Sequence, residues 1–306
     1  MVDLQLLGPK PVSLGGGSDL SVRRVLPQLH RSFVGAWCFV DHYGPDLAAA
    51  CGGMNVAPHP HTGLQTVSWL FDGEIEHRDS SGIETLVRPG EVNLMTSGYG
   101  IAHSEVSTER TVYLHGVQLW VVLPEADQNL SREFQHHRPD VVDHDGVTVR
   151  VLIGTFAGVS STIQTRTRLL GAEVVLAAGA TWEGPVDPTF EYGVLVDTGH
   201  VEVDGLLIDK HWMGIRDAGI GSLRLRNPSD EPVRLMLLGG EPFDESIVMW
   251  WNFIGRSHED IERFRREWVA DADRFGQVRG WRDSDRIMPP PLPAGRLTSR
   301  TRMGRG

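Results

Sequence analysis

The chain has 306 residues, with 29 Lys and Arg against 40 Asp and Glu and a formal net charge of −11. An acidic body repels a phosphate backbone, which argues against general nucleic-acid binding, and a 40% apolar content with nine tryptophans excludes a wholly disordered chain. Two cysteines, Cys38 and Cys51, are too few for a disulfide framework or a cysteine-based zinc site, and both read as small core residues.

The opening MVDLQLLGPK lacks the basic start and apolar core of a signal peptide. Apolar runs such as 33–40 stop well short of the roughly 20 residues of a membrane helix. The expectation is a cytoplasmic protein with no membrane partner. Short runs rich in Val, Leu, Ile and Trp follow at 66–71, 92–95, 112–123, 147–153, 173–176, 192–196 and 233–238, punctuated by 35 Gly and 18 Pro. Short runs between frequent turns read as antiparallel β-structure in a sandwich or barrel. The chain is read as mainly β, in two units divided by the polar segment 125–139.

The expected organisation is an N-terminal domain over 1–135, a second over 136–245, a helical segment over 246–288 packing back on the barrels, and a tail over 289–306. In the third part Ser257 can cap a helix with Asp260 at its third position, and Ile261, Phe264 and Trp268 then share one face. The adjacent Trp250 and Trp251 are expected to pack this segment against a barrel. The tail is rich in Pro and Arg, has no apolar period, and is expected to be disordered.

The strongest chemical signal is His59-Pro60-His61. On a strand, residues i and i+2 face the same way, about 6.6 Å apart along the chain, so two imidazoles can converge on one ion. Alone, such a pair is weak evidence, since histidine pairs also occur on solvated edges. A second pair follows the tight turn Gly98-Tyr99-Gly100: His103 and Glu105, again at i and i+2. If the two strands pair inside a barrel, three neutral imidazoles and one carboxylate meet at the same depth. That set suits iron, manganese, nickel, copper or zinc, and suits calcium poorly. Four such ligands around a six-coordinate ion leave two positions for a chelating substrate, or for a substrate and dioxygen.

Other histidines carry blander readings. His77 stands with Asp79 as a hydrogen-bonded strand residue, with a contact to the metal ligands as the alternative. His115 reads equally as pocket-lining, solvated or capping, and His42 as structural. His136 and His137 are adjacent, would face opposite ways on a strand, and read as linker surface.

The segments HPHTGLQTVSWLFDGEIEHRDSSG and RPGEVNLMTSGYGIAHSE resemble the metal-binding half of the pirin family, a branch of the bicupins, whose usual pattern is HPHxGxETVxYxxxGxxxHxDSxG followed by PGxxxxMxAGxGxxHxE. The likeness extends through FVDHYGP at 39–45 and GVQLWVVLP at 116–124, and more loosely through the second half. It implies two tandem cupin barrels, double-stranded β-helices of jelly-roll type, with a metal only in the first. By position it implies His59, His61, His103 and Glu105 as ligands of one divalent transition metal, Fe(II) first, with Mn, Ni, Cu or Zn as alternatives. It also implies a quercetin 2,3-dioxygenase-like oxidoreductase that opens a flavonol-type ring, with a small aromatic substrate and dioxygen as partners and Glu105 as the candidate catalytic base. The alternative is a non-enzymatic, redox-responsive regulator that binds a protein partner. Three positions depart from the pattern: Gln65 replaces a common Glu, Tyr99 a common Arg and Val122 a common Asn. The first is expected to make the metal site less negative.

Overall fold

The computed structural model describes residues 4–15 and 18–305. Its strands are β1 Gln5–Leu7, β2 Lys10–Gly15, β3 Ser18–Leu26, β4 Trp37–Leu47, β5 Asn55–His61, β6 Leu64–Asp72, β7 Ile75–Asp79, β8 Glu84–Val87, β9 Val92–Thr96, β10 Ile101–Ser107, β11 Tyr113–Val122 and β12 Glu133–His137, before a second set from Val142 onward. In the first unit a seven-stranded sheet, ordered β12-β9-β6-β11-β4-β3-β2, is faced by a four-stranded sheet, ordered β5-β10-β7-β8. The second unit repeats the scheme. Its seven-stranded sheet includes Leu169–Leu176, Glu191–Thr198 and Val233–Gly240, and its four-stranded sheet includes Thr181–Pro185 and Ser222–Arg226. All these ladders are antiparallel.

Strand alternation decides what each face does. In β6, Ser68 and Leu70 turn into the first barrel, and Leu70 joins Tyr43, Met54, Val56 and Leu114 in its interior core. Val67 and Trp69 turn the other way and pack with Leu119, Leu152, Leu195 and Leu238 in a core shared by both units. The two large sheets therefore bury their outer faces against each other. Polar groups are matched across this seam. The Trp37 indole N–H donates to the carbonyls of Leu170 (3.0 Å) and Gly239 (3.2 Å), and that of Trp69 donates to Glu173 Oε2 (3.0 Å).

The helix His258–Val269 has the expected reciprocal cap. The Asp260 N–H donates to Ser257 Oγ at 3.1 Å, and the Ser257 N–H donates to Asp260 Oδ2 at 3.0 Å. Ile261, Phe264 and Trp268 are buried with Val248, Phe253, Phe275 and Ala102 of the first barrel. This segment packs back on the first unit.

Three features depart from the sequence reading. Strand β1 lies in the first stretch of chain but pairs with Met213–Arg216 in the second unit's large sheet. The polar segment 125–139 contains β12, which pairs with β9 and places His136 Nδ1 2.6 Å from Asn93 Oδ1 rather than on a free linker. The tail expected to be disordered is a strap. Ile247 and Arg300 exchange backbone hydrogen bonds (3.0 and 2.7 Å), Arg302 pairs with Glu191 at 2.6 Å, and Leu292 and Leu297 pack on the C-terminal core. Backbone pairing and ion pairs order this strap, and neither leaves an apolar period in the sequence.

Candidate metal centre

Strand β5, which carries His59 and His61, reads NVAPHPH, with prolines at 58 and 60. A proline cannot donate to a ladder, so such a strand is confined to a sheet edge, and β5 is the edge of its four-stranded sheet. Its inner neighbour is β10, in a register that sets His103 opposite His59. On its other side β10 pairs with β7, setting His103 opposite Asp79 and Glu105 opposite His77.

The histidine pair of β5 thus meets His103 of β10. His59, His61 and His103 are buried, and their ring nitrogens lie within 4.8 Å of one another, as do the ligand atoms of His77, His103 and Glu105. Nε2 of His61 stands 3.0 Å from Nε2 of His103. Two nitrogens held about 2.1 Å from one ion at a right angle stand about 3.0 Å apart, so the donor set fits a divalent transition metal.

The tautomers are fixed from outside. A carbonyl only accepts, so His59 Nδ1–H donates to Ala57 O at 3.0 Å and His61 Nδ1–H donates to Asn252 O at 3.1 Å. Each ring then carries its Nε2 lone pair free for coordination. His103 Nδ1 faces His77 Nδ1 at 3.5 Å, and His77 Nε2–H donates to Asp79 Oδ2 at 3.3 Å. Burial opposes ionisation of Asp79, but hydrogen bonds from His77 and Ser81 outweigh it and lower the carboxyl pKa. His77 is thus both hydrogen-bonded on its strand and set behind the candidate ligand His103.

Burial lowers the His59 pKa to about 4, and burial with neighbouring imidazoles holds His61 and His103 well below the ordinary value. All three are neutral, as ligands must be. Glu105 is pushed up by burial, against the opposing pull of His77 and Ser68.

These four side chains open on a cavity of about 430 Å³ that is also lined by Phe39, Tyr43, Gln118, Trp120 and Trp251. Phe39 and Trp120 are cross-strand partners, stacked at 4.1 Å with 12° between their planes. The Trp120 ring meets His61 edge-on at 5.1 Å. Arg24 lies 4.2 Å over Phe39 and grips Asp41 through two hydrogen bonds of 2.8 and 2.7 Å. The aromatic lining is invisible in the histidine motifs, although the cross-strand pairing of FVD with QLW could have suggested it.

One expectation is corrected here and one open reading is decided. Gln65 shares its strand face with Val67 and Trp69, turned from the metal site to the seam, where it donates to Thr96 Oγ1 at 2.9 Å. Its neutral amide therefore does not thin the charge around the imidazoles. His115 does not line the cavity. With His42 it sits at the seam, both Nε2 atoms bonding Asp197 Oδ1 at 2.6 and 2.7 Å. That second His/Asp cluster is flanked by two guanidiniums, Arg23 at 3.3 Å from His42 and Arg234 at 2.6 Å from Asp197, which repel a cation.

The Pirin family profile matches residues 19–121, and that of the Pirin C-terminal cupin domain matches residues 171–276. A Pseudomonas aeruginosa protein named "Putative quercetin 2,3-dioxygenase" is 39% identical over 292 residues, covering 95% of this chain and 91% of its own. A Caulobacter vibrioides pirin-like protein is 34% identical, covering 82% of this chain and 89% of its own. Among solved structures, a quercetin 2,3-dioxygenase from Acinetobacter baumannii superposes with a TM-score of 0.89 at 35% identity, covering 95% of this chain and 96% of that one.

Proposed function

The chain belongs to the pirin family, and from that premise we propose that its first barrel is a metal-dependent dioxygenase site that opens a flavonol-type ring. The observation supporting this reading is the cluster of three neutral imidazoles, His59, His61 and His103, with Glu105 grouped beside His103, all four lining one aromatic-walled cavity. His59, His61, His103 and Glu105 would hold one divalent transition metal, Fe(II) before Mn, Ni, Cu or Zn. When bound, such a cation supplies Lewis acidity toward a substrate hydroxyl and a partner for dioxygen.

The chain's own groups supply the rest. The cavity volume falls in the range of small-molecule sites, roughly 300–1,000 Å³. Phe39 and Trp120 present aromatic surface to a flat ligand. Glu105, with its pKa raised, is suited to take the proton of a flavonol hydroxyl as general base. The Ser68 hydroxyl sits nearer Gln118 Oε1 (3.0 Å) than Glu105 Oε1 (3.4 Å), so the carboxylate is held only weakly and stays available. Dioxygen then adds to the electron-rich ring, which opens with loss of carbon monoxide.

Reconstitution with each metal and quercetin absorbance under air, read beside oxygen uptake, tests the reading. Turnover with at least one metal is expected, and Glu105→Gln should lower it by about 10²–10⁴-fold. If no metal raises consumption above the metal-free protein, the dioxygenase reading is wrong.

A further inference from the structure

We propose that Trp251 is the specificity-determining wall of this cavity, its indole forming the surface against which a planar polyphenol is seated. The proposal rests on the flavonol reading of the first barrel. The prolines of β5 make it an edge strand. An edge strand leaves one row of backbone groups unpaired, and here the C-terminal segment takes them. The Ile287 N–H donates to Pro58 O at 2.9 Å, the Ile254 N–H to Thr62 O at 3.1 Å, and Thr62 Oγ1 to Ile254 O at 3.1 Å. The approach is so close that a Cβ on Gly63, which sits at φ +69°, would lie 2.6 Å from Ile254 O.

This docking brings the hairpin of Val248–Trp250 and Phe253–Gly255 onto the metal site, with Trp251 and Asn252 as its two-residue turn. The Asn252 carbonyl holds His61 Nδ1, while Trp251 lines the cavity. Trp251, Asn252 and Ile287 are the described lining residues that come from outside the first barrel. Trp251 adopts φ +53°, a left-handed conformation that a bulky side chain rarely takes and that glycine takes freely. Its ring is anchored edge-on to Phe253 at 5.4 Å and is half-buried, which leaves aromatic surface facing the cavity. A strained, anchored aromatic in the lining of a cavity signals a positional demand on the side chain. With the Phe39–Trp120 stack, it gives the cavity aromatic walls from two distant parts of the chain.

The test compares Trp251→Gly, Trp251→Ala and Trp251→Phe in the full chain. Quercetin binding to the metal-free protein is measured by calorimetry, with metal content and melting temperature alongside. Gly and Ala variants should bind quercetin about tenfold or more weakly, while Phe stays within about threefold of the parent. All should load metal as the parent does, and the Gly variant should melt above the Ala variant because it relieves the left-handed backbone. Unchanged quercetin affinity in Trp251→Gly overturns the proposal, as does a parent protein that does not bind quercetin. Loss of metal in Trp251→Gly also overturns it, since the turn would then be a scaffold for His61 alone. Quercetin binding that depends on Trp251, without turnover on any metal, would sink the dioxygenase reading and leave this wall standing.

Discussion

Arg31 and Glu191 stand 160 positions apart in the chain and meet at 2.6 Å, both side chains buried from solvent. The same carboxylate accepts the Gly35 N–H at 2.9 Å and Arg302 at 2.6 Å, so first barrel, second barrel and C-terminal strap share one anion. Breaking a buried pair costs about 3–5 kcal/mol, and without Glu191 the Arg31 guanidinium would keep only the exposed carboxylate of Asp217, at 2.8 Å. Glu191→Ala should lower the urea midpoint accordingly at an unchanged slope. A midpoint equal to that of the parent would mean that the seam does not depend on this anion.

Asp79 reaches the candidate ligand His103 at one remove, through His77. Partners behind a ligand typically tune metal affinity by about 10–100-fold. Asp79→Asn should weaken metal binding by that amount in a competition titration against a chelator dye, with the fold intact. Affinity within twofold of the parent would leave His77 as a strand residue and nothing more.

The buried histidines set the acid limb of stability. His42, His59, His61 and His103 all have folded-state pKa values lowered by burial, His59 to about 4. Above the ordinary histidine value these groups are neutral whether folded or not. As pH falls through about 6.5, the unfolded chain takes up protons that the folded chain refuses, so stability drops, by up to about 1.4 kcal/mol per pH unit for each such group. The melting temperature of the metal-free protein should therefore fall steadily from pH 7 to pH 5. A flat or rising profile over that window would contradict the buried, neutral assignment.

The strap makes its own claim. Truncation after Leu297 removes the Ile247–Arg300 pairing and the Arg302–Glu191 ion pair. Bonds to a buried charge contribute about 1.5–3 kcal/mol, and the truncated chain should lose stability on that order. In the intact chain, trypsin should cut at Arg300 and Arg302 slowly. Rapid trimming with no change in melting temperature would return the tail to disorder.

The histidine cluster was legible because its spacing matches strand geometry: i and i+2 face one way, and the prolines beside His59 mark an edge strand. The cap at Ser257 and the buried face of its helix were legible because both are local. What escaped is non-local or depends on parity across a break. Gln65 follows a turn at Thr62-Gly63 that resets the alternation, so its face could not be counted from His61. Trp251 reaches the cavity only because a hairpin about 190 positions downstream covers the edge of β5. The pairing of β1 with the second barrel and the ordering of the strap are likewise contacts between distant stretches, invisible to periodicity.

One ion held between β5 and β10 is what the proposed chemistry requires. Elemental analysis of the full chain, loaded with Fe(II) anaerobically and dialysed against metal-free buffer, measures it directly beside His61→Ala and His103→Ala. The parent should retain about one transition metal per chain, and each variant should lose most of it. A parent that retains none, or variants that retain as much as the parent, would contradict it.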